Sequence, residues 1–283
     1  MGKSIETTGL ERIDIEEIIA AKSPALAKKI PGFLVNYLKR IIHQDVINEV
    51  LSNFKHLRDA EFAAATLDFL GVTYKAFGTE NLPHGGRYIF VSNHPLGGMD
   101  GLVFITEMAK HYDNIKFPVN DLLTFLKNLN GIFLGINKHG AQGRAAILKL
   151  EEAYASDCQI LYFPAGLCSR KIKGEIRDLT WQKSFITKAI QYERDVVPLH
   201  FSGKNSNFFY NLSNIRMRLG IKTNFEMLYL PDEMFRQKGK EISLIFGKPI
   251  SWRSFDNSRT HAEWAEEVKK FSYELRPQAI TRR

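Results

Sequence analysis

The sequence is poor in cysteine and contains no long apolar run. Its 283 residues include two cysteines, Cys158 and Cys168, which are too few for a disulfide framework and are typical of a reducing compartment. No apolar stretch approaches the roughly 18 residues that a membrane-spanning helix needs. The first residues also lack the apolar core of a signal peptide. We therefore expect a cytoplasmic protein that is soluble or lies on a membrane surface without crossing it.

Several catalytic motifs are absent as well. The eight histidines are scattered and show neither the His-Glu-x-x-His nor the Cys-x-x-Cys spacing of a zinc site, so we expect no metal. There is no Gly-x-Ser-x-Gly elbow for a serine hydrolase, and no glycine-rich loop for a nucleotide phosphate.

The charge balance favours an acidic partner. The 39 Lys and Arg residues exceed the 31 Asp and Glu residues, which makes the formal net charge +8. Such a chain is attracted to nucleic acid, to anionic lipid or to an acidic carrier protein. Because no block of consecutive cations marks a nucleic-acid tail, we do not expect nucleic-acid binding.

The apolar pattern changes near residue 81. Residues 13–71 show helical spacing, and Leu82-Pro83 and Gly85-Gly86 then interrupt it. Beyond that point short apolar runs alternate with helical segments, which predicts an α/β fold with a largely parallel sheet flanked by helices. We therefore expect an N-terminal helical segment at residues 1–80, suited to membrane docking, and an α/β domain at residues 81–283. The predicted strands are residues 88–91, 115–119, 132–134, 159–163, 196–201 and 242–246.

A histidine and an aspartate flank a glycine turn directly after the first of these strands. The run is Asn93-His94-Pro95-Leu96-Gly97-Gly98-Met99-Asp100. A neutral imidazole can take a proton from a hydroxyl, and a carboxylate on its other nitrogen fixes its tautomer and stabilises the imidazolium. The two glycines allow backbone N–H groups to approach a developing oxyanion. The alternative is a tight turn in which Asp100 is only a helix N-cap.

This run resembles the His/Asp motif of the glycerolipid acyltransferase superfamily, whose pair activates an acceptor hydroxyl against an acyl thioester. Residues 131–138, 162–170 and 196–199 resemble its later blocks in the same order, so the resemblance covers most of the chain. It implies that His94 is the general base, that Asp100 orients it, and that no cofactor is needed. The residues implied to bind substrate are Asn93, Gly97, Gly98, Lys138, Arg144, Gly166, Ser169 and Arg170.

The cations in this set have a chemical rationale. Lys138, Arg144 and Arg170 are candidates to hold an anionic headgroup or the phosphopantetheine of the donor, because guanidinium and ammonium groups bind such anions. For Arg144, an ordinary surface cation is an equally good interpretation.

The sequence also departs from the superfamily pattern. Five residues separate His94 from Asp100, where most of the superfamily has four, and Ala165 stands where the third block has glutamate. The replacements in the second and third blocks fall where members of the superfamily bind glycerol phosphate. Residues 197–210 instead resemble a bacterial hemolysin-like branch, which includes the O-acyltransferases that produce ornithine and glycine lipids from acceptors without phosphate.

The resemblance therefore predicts acyl transfer from acyl carrier protein or acyl-CoA to the hydroxyl of an N-(3-hydroxyacyl) amino acid. The expected location is the inner face of the cytoplasmic membrane. One alternative is a 1-acylglycerol-3-phosphate acyltransferase. Another is a non-catalytic lipid-binding protein in which the extra residue has disabled the pair.

Two stretches combine apolar residues with cations. Residues 33–42 form an apolar stripe at helical spacing, flanked by Lys28, Lys29, Lys39 and Arg40. This stripe either packs on the α/β domain or lies in an anionic membrane interface. Residues 208–222 are open to the same two interpretations.

Overall fold

The computed structural model describes residues 12–136 and 140–276. Its helices, in chain order, are α1 (Ile15–Lys22), α2 (Pro24–Ala27), α3 (Gly32–Ile42), α4 (Gln44–Asn53), α5 (Asp59–Phe69), α6 (Gly98–Met108), α7 (Gly140–Ala155), α8 (Ser184–Gln191), α9 (Asn207–Arg218), α10 (Leu230–Phe235) and α11 (His261–Glu274). Its strands are β1 (Thr73–Phe77), β2 (Tyr88–Ser92), β3 (Ile115–Asn120), β4 (Phe133–Ile136), β5 (Gln159–Tyr162), β6 (Arg170–Ile172), β7 (Glu175–Arg177), β8 (Asp195–Phe201) and β9 (Glu241–Phe246).

Seven strands form one sheet in the order β1-β9-β8-β2-β5-β3-β4. The five strands from β8 to β4 are parallel, whereas β9 is antiparallel to β8 and parallel to the edge strand β1. β6 and β7 form a separate antiparallel hairpin. The predicted α/β class is confirmed, and each predicted strand agrees with an observed one to within one or two residues at either end.

Successive side chains of a strand point to opposite faces of the sheet. Helices cover both of these faces. Phe90 of β2 packs in a core with α5 and α6. Ile89 and Val91 of the same strand pack in a second core with α7, α8 and α11. The carboxyl ends of β2, β5 and β8 therefore open at one edge between two layers of helices.

The predicted boundary at residue 81 does not separate two packing units. β1 lies in the predicted helical segment but pairs with β9 from the far end of the chain. Helix α5 places Phe62 and Leu67 in the same core as α6. The pattern of β1, Thr-Tyr-Lys-Ala-Phe, includes no apolar run, because an edge strand exposes alternate residues. The helices before β1 agree with the prediction, but the last of them belong to the main core.

The apolar stripe of α3 is divided between two environments. Val35 and Ile41 are buried, and α3 packs on α10. Phe33 in the first turn is 77 % exposed, and Leu34 is 38 % exposed. Packing on the rest of the fold therefore holds for the buried part of the helix, and membrane docking by its exposed first turn stays a prediction. Within the described residues, no helix combines the length and the apolarity that crossing a membrane requires.

His200 of β8 is buried without a partner for one of its nitrogens. Its ring meets the ring of Tyr273 edge-on at 5.4 Å between centroids, and its Nδ1 has no hydrogen-bond partner within the described residues. Burial, with a smaller contribution from the charge of Arg276, lowers the pKa of His200 to about 3. His200 therefore stays neutral in the folded protein at pH values, below about 6.5, at which the unfolded chain binds a proton there.

We expect His200 to make stability fall with acid. Its folded pKa lies below its unfolded value, so its contribution is fully present above pH ~6.5 and is lost as the pH falls toward 3. Between pH 7 and pH 5 the parent should lose about 2 kcal/mol more of its free energy of unfolding than His200→Gln. Urea unfolding of both proteins at the two pH values measures this difference. Equal losses would contradict it.

Candidate active site

His94 and Asp100 meet at the carboxyl end of β2, in the turn that leads into α6. Nδ1 of His94 lies 3.1 Å from Oδ2 of Asp100, so the predicted contact forms despite the extra residue between them. The Asp100 side chain is fully buried, whereas that of His94 is 18 % exposed. With Nδ1 on the carboxylate, Nε2 is the nitrogen available to a ligand. The extra residue therefore does not separate the two side chains.

The extra residue is accommodated at the glycine turn, as the sequence predicted. Gly97 has φ +74° and ψ −128°, a conformation that side-chain-bearing residues rarely adopt. A Cβ at this position would also lie 3.1 Å from Cδ2 of Leu230. Helix α6 begins at the exposed Gly98, and the N–H groups of a first helical turn have no partner within the helix. The turn thus offers backbone donors next to His94.

Burial sets the electrostatics of Asp100. Its Oδ2 also accepts a hydrogen bond from the Leu96 N–H at 2.7 Å, and its Oδ1 has no partner within the described residues. Desolvation raises the pKa of Asp100, and the hydrogen bonds from His94 and Leu96 oppose that rise. A like charge on Asp178 raises the pKa further.

A second buried acid, Asp178, holds the backbone of His94. Its Oδ1 accepts from the His94 N–H at 3.2 Å and from the Ser169 hydroxyl at 2.6 Å. Its Oδ2 accepts from the indole N–H of Trp181 at 2.8 Å, and its own N–H donates to the Tyr273 hydroxyl at 2.7 Å. The Ser169 N–H donates to the His94 carbonyl at 2.7 Å. Both backbone polar groups of His94 are therefore hydrogen-bonded to this network.

Sequence reasoning did not identify Asp178. It lies 84 positions after His94 and follows the short hairpin β6–β7, which has no apolar run to mark it. Nothing in the sequence around it identifies an acid as a partner of His94.

An aromatic cluster supports one face of the His94 imidazole. The ring stacks on Phe163 with 4.0 Å between centroids and an interplanar angle of 21°. Phe163 follows β5 directly and also contacts the rings of Phe104, Phe117 and Phe201. Residues 162–170, the third of the superfamily blocks, thus contribute to the site because Phe163 positions the imidazole.

Two of the predicted substrate-binding residues, Asn93 and Gly166, have internal partners. The Asn93 amide donates to the Phe201 carbonyl at 2.9 Å and accepts from the Phe201 N–H at 2.7 Å, which fastens β2 to β8. The Gly166 N–H donates to the Phe163 carbonyl at 3.0 Å. Ser169, described above, is buried on Asp178. Asn93 and Ser169 therefore shape the site from buried positions, whereas Gly166 is exposed and its role in binding substrate stays a prediction.

The sequence predicts that Arg170 holds an anionic ligand, but in the structure its partners are internal. It is buried, its guanidinium pairs with Glu226 at 3.0 Å, and it donates to the Cys168 carbonyl at 2.6 Å. Arg216 of α9 lies 2.8 Å from the other oxygen of Glu226. A buried guanidinium needs such partners, because it has lost its hydration. Arg170 therefore ties β6 to α9 and to the 3-10 helix Phe225–Tyr229, which contains Glu226.

Of the remaining predicted cations, Arg144 is not part of this cluster. Arg144 is exposed on α7, which follows β4, and β4 lies three strand positions from β2. It forms no hydrogen bond or ion pair with the His94 turn among the residues that the structure describes. Lys138 lies outside the described residues.

Residues 17–279 match the acyltransferase family. The chain belongs to this family. It is 50 % identical over 264 residues to a lyso-glycine lipid O-acyltransferase of Bacteroides thetaiotaomicron, covering 93 % of this chain and 97 % of the relative. It is 49 % identical over 264 residues to a lyso-glycine lipid O-acyltransferase of Phocaeicola vulgatus, covering 93 % and 95 %.

Among solved structures, the 1-acyl-sn-glycerophosphate acyltransferase of Thermotoga maritima is similar at 18 % identity and a TM-score of 0.46, covering 86 % of this acyltransferase and 96 % of that chain. The family membership confirms the predicted enzyme class, an enzyme that transfers acyl groups.

We expect Asp178→Asn to lower kcat/KM for acyl transfer about tenfold to a hundredfold, because the amide cannot keep both the His94 and the Trp181 hydrogen bonds. The lost negative charge should also move the acid limb of the pH profile to lower pH, because the charge of Asp178 raises the pKa of Asp100. Steady-state rates across pH measure both effects, with the exposed Asp68→Asn as a matched control. A lower rate with an unmoved profile would reduce Asp178 to a purely structural role.

Proposed function

We propose that this acyltransferase moves a fatty acyl group from an acyl thioester to the 3-hydroxyl of an N-(3-hydroxyacyl)glycine lipid. The main support for this reaction is the His94–Asp100 hydrogen bond of 3.1 Å at the end of β2. The acceptor class is supported by the near 50 % identity to two relatives named lyso-glycine lipid O-acyltransferase.

In this mechanism Nε2 of His94 removes the hydroxyl proton as the hydroxyl oxygen attacks the thioester carbonyl. The buried carboxylate of Asp100 stabilises the imidazolium that forms. Backbone N–H groups at the start of α6 stabilise the tetrahedral oxyanion. The intermediate collapses by breaking the carbon–sulfur bond, and the imidazolium returns the proton to the departing thiolate. The products are the ester and the free thiol.

The third block supports an acceptor without phosphate. Arg170, its cation, is 1 % exposed and is neutralised by Glu226. It is therefore unavailable to a phosphate ester in solvent. Glycine carries a single carboxylate, which needs fewer cations for recognition than a phosphate dianion does.

For the donor we propose acyl carrier protein, with acyl-CoA as the alternative. Both are anionic and suit a chain of net charge +8. We also propose that the enzyme works at the inner face of the cytoplasmic membrane, because the acceptor is a lipid. The exposed Phe33 and Leu34 at the start of α3 support this placement.

Replacing the base should abolish transfer. We expect His94→Ala to lower kcat by about 10²–10⁴-fold, the usual contribution of a general base. His84→Ala, at an exposed histidine, is the matched control and should keep the parent rate. Transfer of a labelled acyl group by purified protein measures both. A rate for His94→Ala within about tenfold of the parent would reject the general-base role.

A panel of acceptors tests the substrate class. With acyl carrier protein or acyl-CoA carrying the same labelled chain, we expect kcat/KM to be highest for the lyso-glycine lipid. Lyso-ornithine lipid should be slower, and 1-acylglycerol-3-phosphate slower by at least about tenfold, because the buried Arg170 cannot pair with its phosphate. Preference for the phosphate ester would favour the alternative of a 1-acylglycerol-3-phosphate acyltransferase.

A further inference from the structure

One surface segment, residues 208–228, collects exposed apolar side chains. It runs from α9 into the 3-10 helix Phe225–Tyr229, and we call it the hook. The exposed apolar side chains of the hook, each between 40 % and 69 % exposed, are Phe208, Ile215, Met217, Leu219, Ile221 and Leu228. No other segment of equal length in residues 12–136 and 140–276 exposes as many large apolar side chains. Exposed apolar clusters of this kind mark interaction surfaces.

The exposed charges of the hook are all positive. Arg218 and Lys222 are exposed at the end of α9 and in the loop that follows. Glu226 is the single acidic residue between positions 208 and 228, all of which the structure describes. It is buried between the guanidinium groups of Arg170 and Arg216. The hook therefore presents apolar groups and cations to solvent without a compensating carboxylate.

Buried polar contacts hold the hook in this shape. The Ser213 hydroxyl donates to Glu226 at 3.3 Å. Nη1 of Arg216 donates to the Ile221 carbonyl at 2.7 Å, which closes the loop after α9. With the Arg170–Glu226 ion pair, these contacts connect the hook to the hairpin that follows the third block. Contacts within the folded chain therefore keep these apolar side chains exposed.

The hook is continuous with the exposed start of α3. The ring of Phe208 meets the ring of Tyr229 at 5.0 Å between centroids. The Tyr229 hydroxyl lies 2.5 Å from the hydroxyl of Tyr37 on α3. Phe33 lies one helical turn before Tyr37 and is 77 % exposed.

We propose that the hook, together with the first turn of α3, docks this acyltransferase on an anionic lipid bilayer. Side chains such as Ile215 and Leu219 enter the interface, and Arg218 and Lys222 lie at the level of the anionic headgroups. Helix α10 follows the hook directly, and its Leu230 packs on Gly97 beside His94. Docking would therefore bring the catalytic turn close to the surface that holds a lipid acceptor, an advantage that rests on the proposed function.

Vesicle binding tests this surface without any acyl donor. The full chain is mixed with vesicles of phosphatidylcholine alone or of phosphatidylcholine with phosphatidylglycerol, and affinity is measured by co-sedimentation. We expect Arg218→Gln/Lys222→Gln to bind the anionic vesicles about 25-fold more weakly, about fivefold for each cation. Its affinity for neutral vesicles should not change. Ile215→Ser/Leu219→Ser should bind both kinds about tenfold more weakly or worse.

Matched variants elsewhere control for general loss of charge and of apolar surface. Lys55→Gln/Lys127→Gln removes two exposed lysines, and Ile147→Ser/Leu148→Ser removes two exposed apolar side chains of α7. Both should bind vesicles as the parent does. Thermal melting of every variant confirms folding. If the serine variant does not fold, the glutamine variant decides, because it leaves the apolar side chains of the hook in place.

The outcomes separate this proposal from the catalytic one. His94→Ala should dock like the parent, so a failure of the general-base role would leave vesicle binding untouched. Hook variants that bind anionic vesicles like the parent would overturn the docking proposal. So would hook variants that change the sedimentation coefficient of the free protein and not vesicle affinity, since the hook would then be an interface between two copies of the chain.

Discussion

The hydrogen bond between His94 and the buried Asp100 is the contact around which this acyltransferase is arranged. Its cost is the burial of a carboxylate, which is offset by the imidazole and by the Leu96 N–H. The geometry requires a glycine at position 97, an aromatic support from Phe163 and a fixed backbone at His94. These come from β2, from the end of β5 and from the segment after β7. Several distant parts of the chain therefore hold one imidazole in place.

Two buried acids beside one histidine have different tasks. Asp100 contacts the imidazole, whereas Asp178 accepts from the backbone of His94, from Ser169 and from Trp181. The two carboxylates cannot exchange tasks, because each accepts hydrogen bonds from donors at fixed positions. The arrangement explains how the turn tolerates a fifth residue between His94 and Asp100. The backbone of His94 is held by Asp178 and Ser169, which lie outside the motif, so the glycine turn can change length without moving His94.

The ion cluster of Arg170, Glu226 and Arg216 links the catalytic blocks to the surface. A cation in the third block could have faced a ligand, but here it neutralises a buried carboxylate and so secures the hook. Removing Glu226 would leave two buried guanidinium groups without a carboxylate. The same ion pair therefore bears on two properties of the enzyme. It keeps the Arg170 guanidinium out of solvent, and it supports an apolar and basic surface next to the helix that packs on Gly97.

The sequence by itself determined the α/β class, the positions of six strands and the contact between His94 and Asp100. Apolar periodicity and a motif within seven residues are local, and the chain cannot satisfy them in many ways. The tertiary structure alone revealed the strand β1, the role of Asp178 and the internal pairing of Arg170. β1 is stabilised by β9 at the other end of the chain, and Asp178 meets His94 across 84 positions. Arg170 looks like a ligand-binding cation until Glu226 is placed beside it, because the cost of burying a charge depends on partners that sequence order does not bring together.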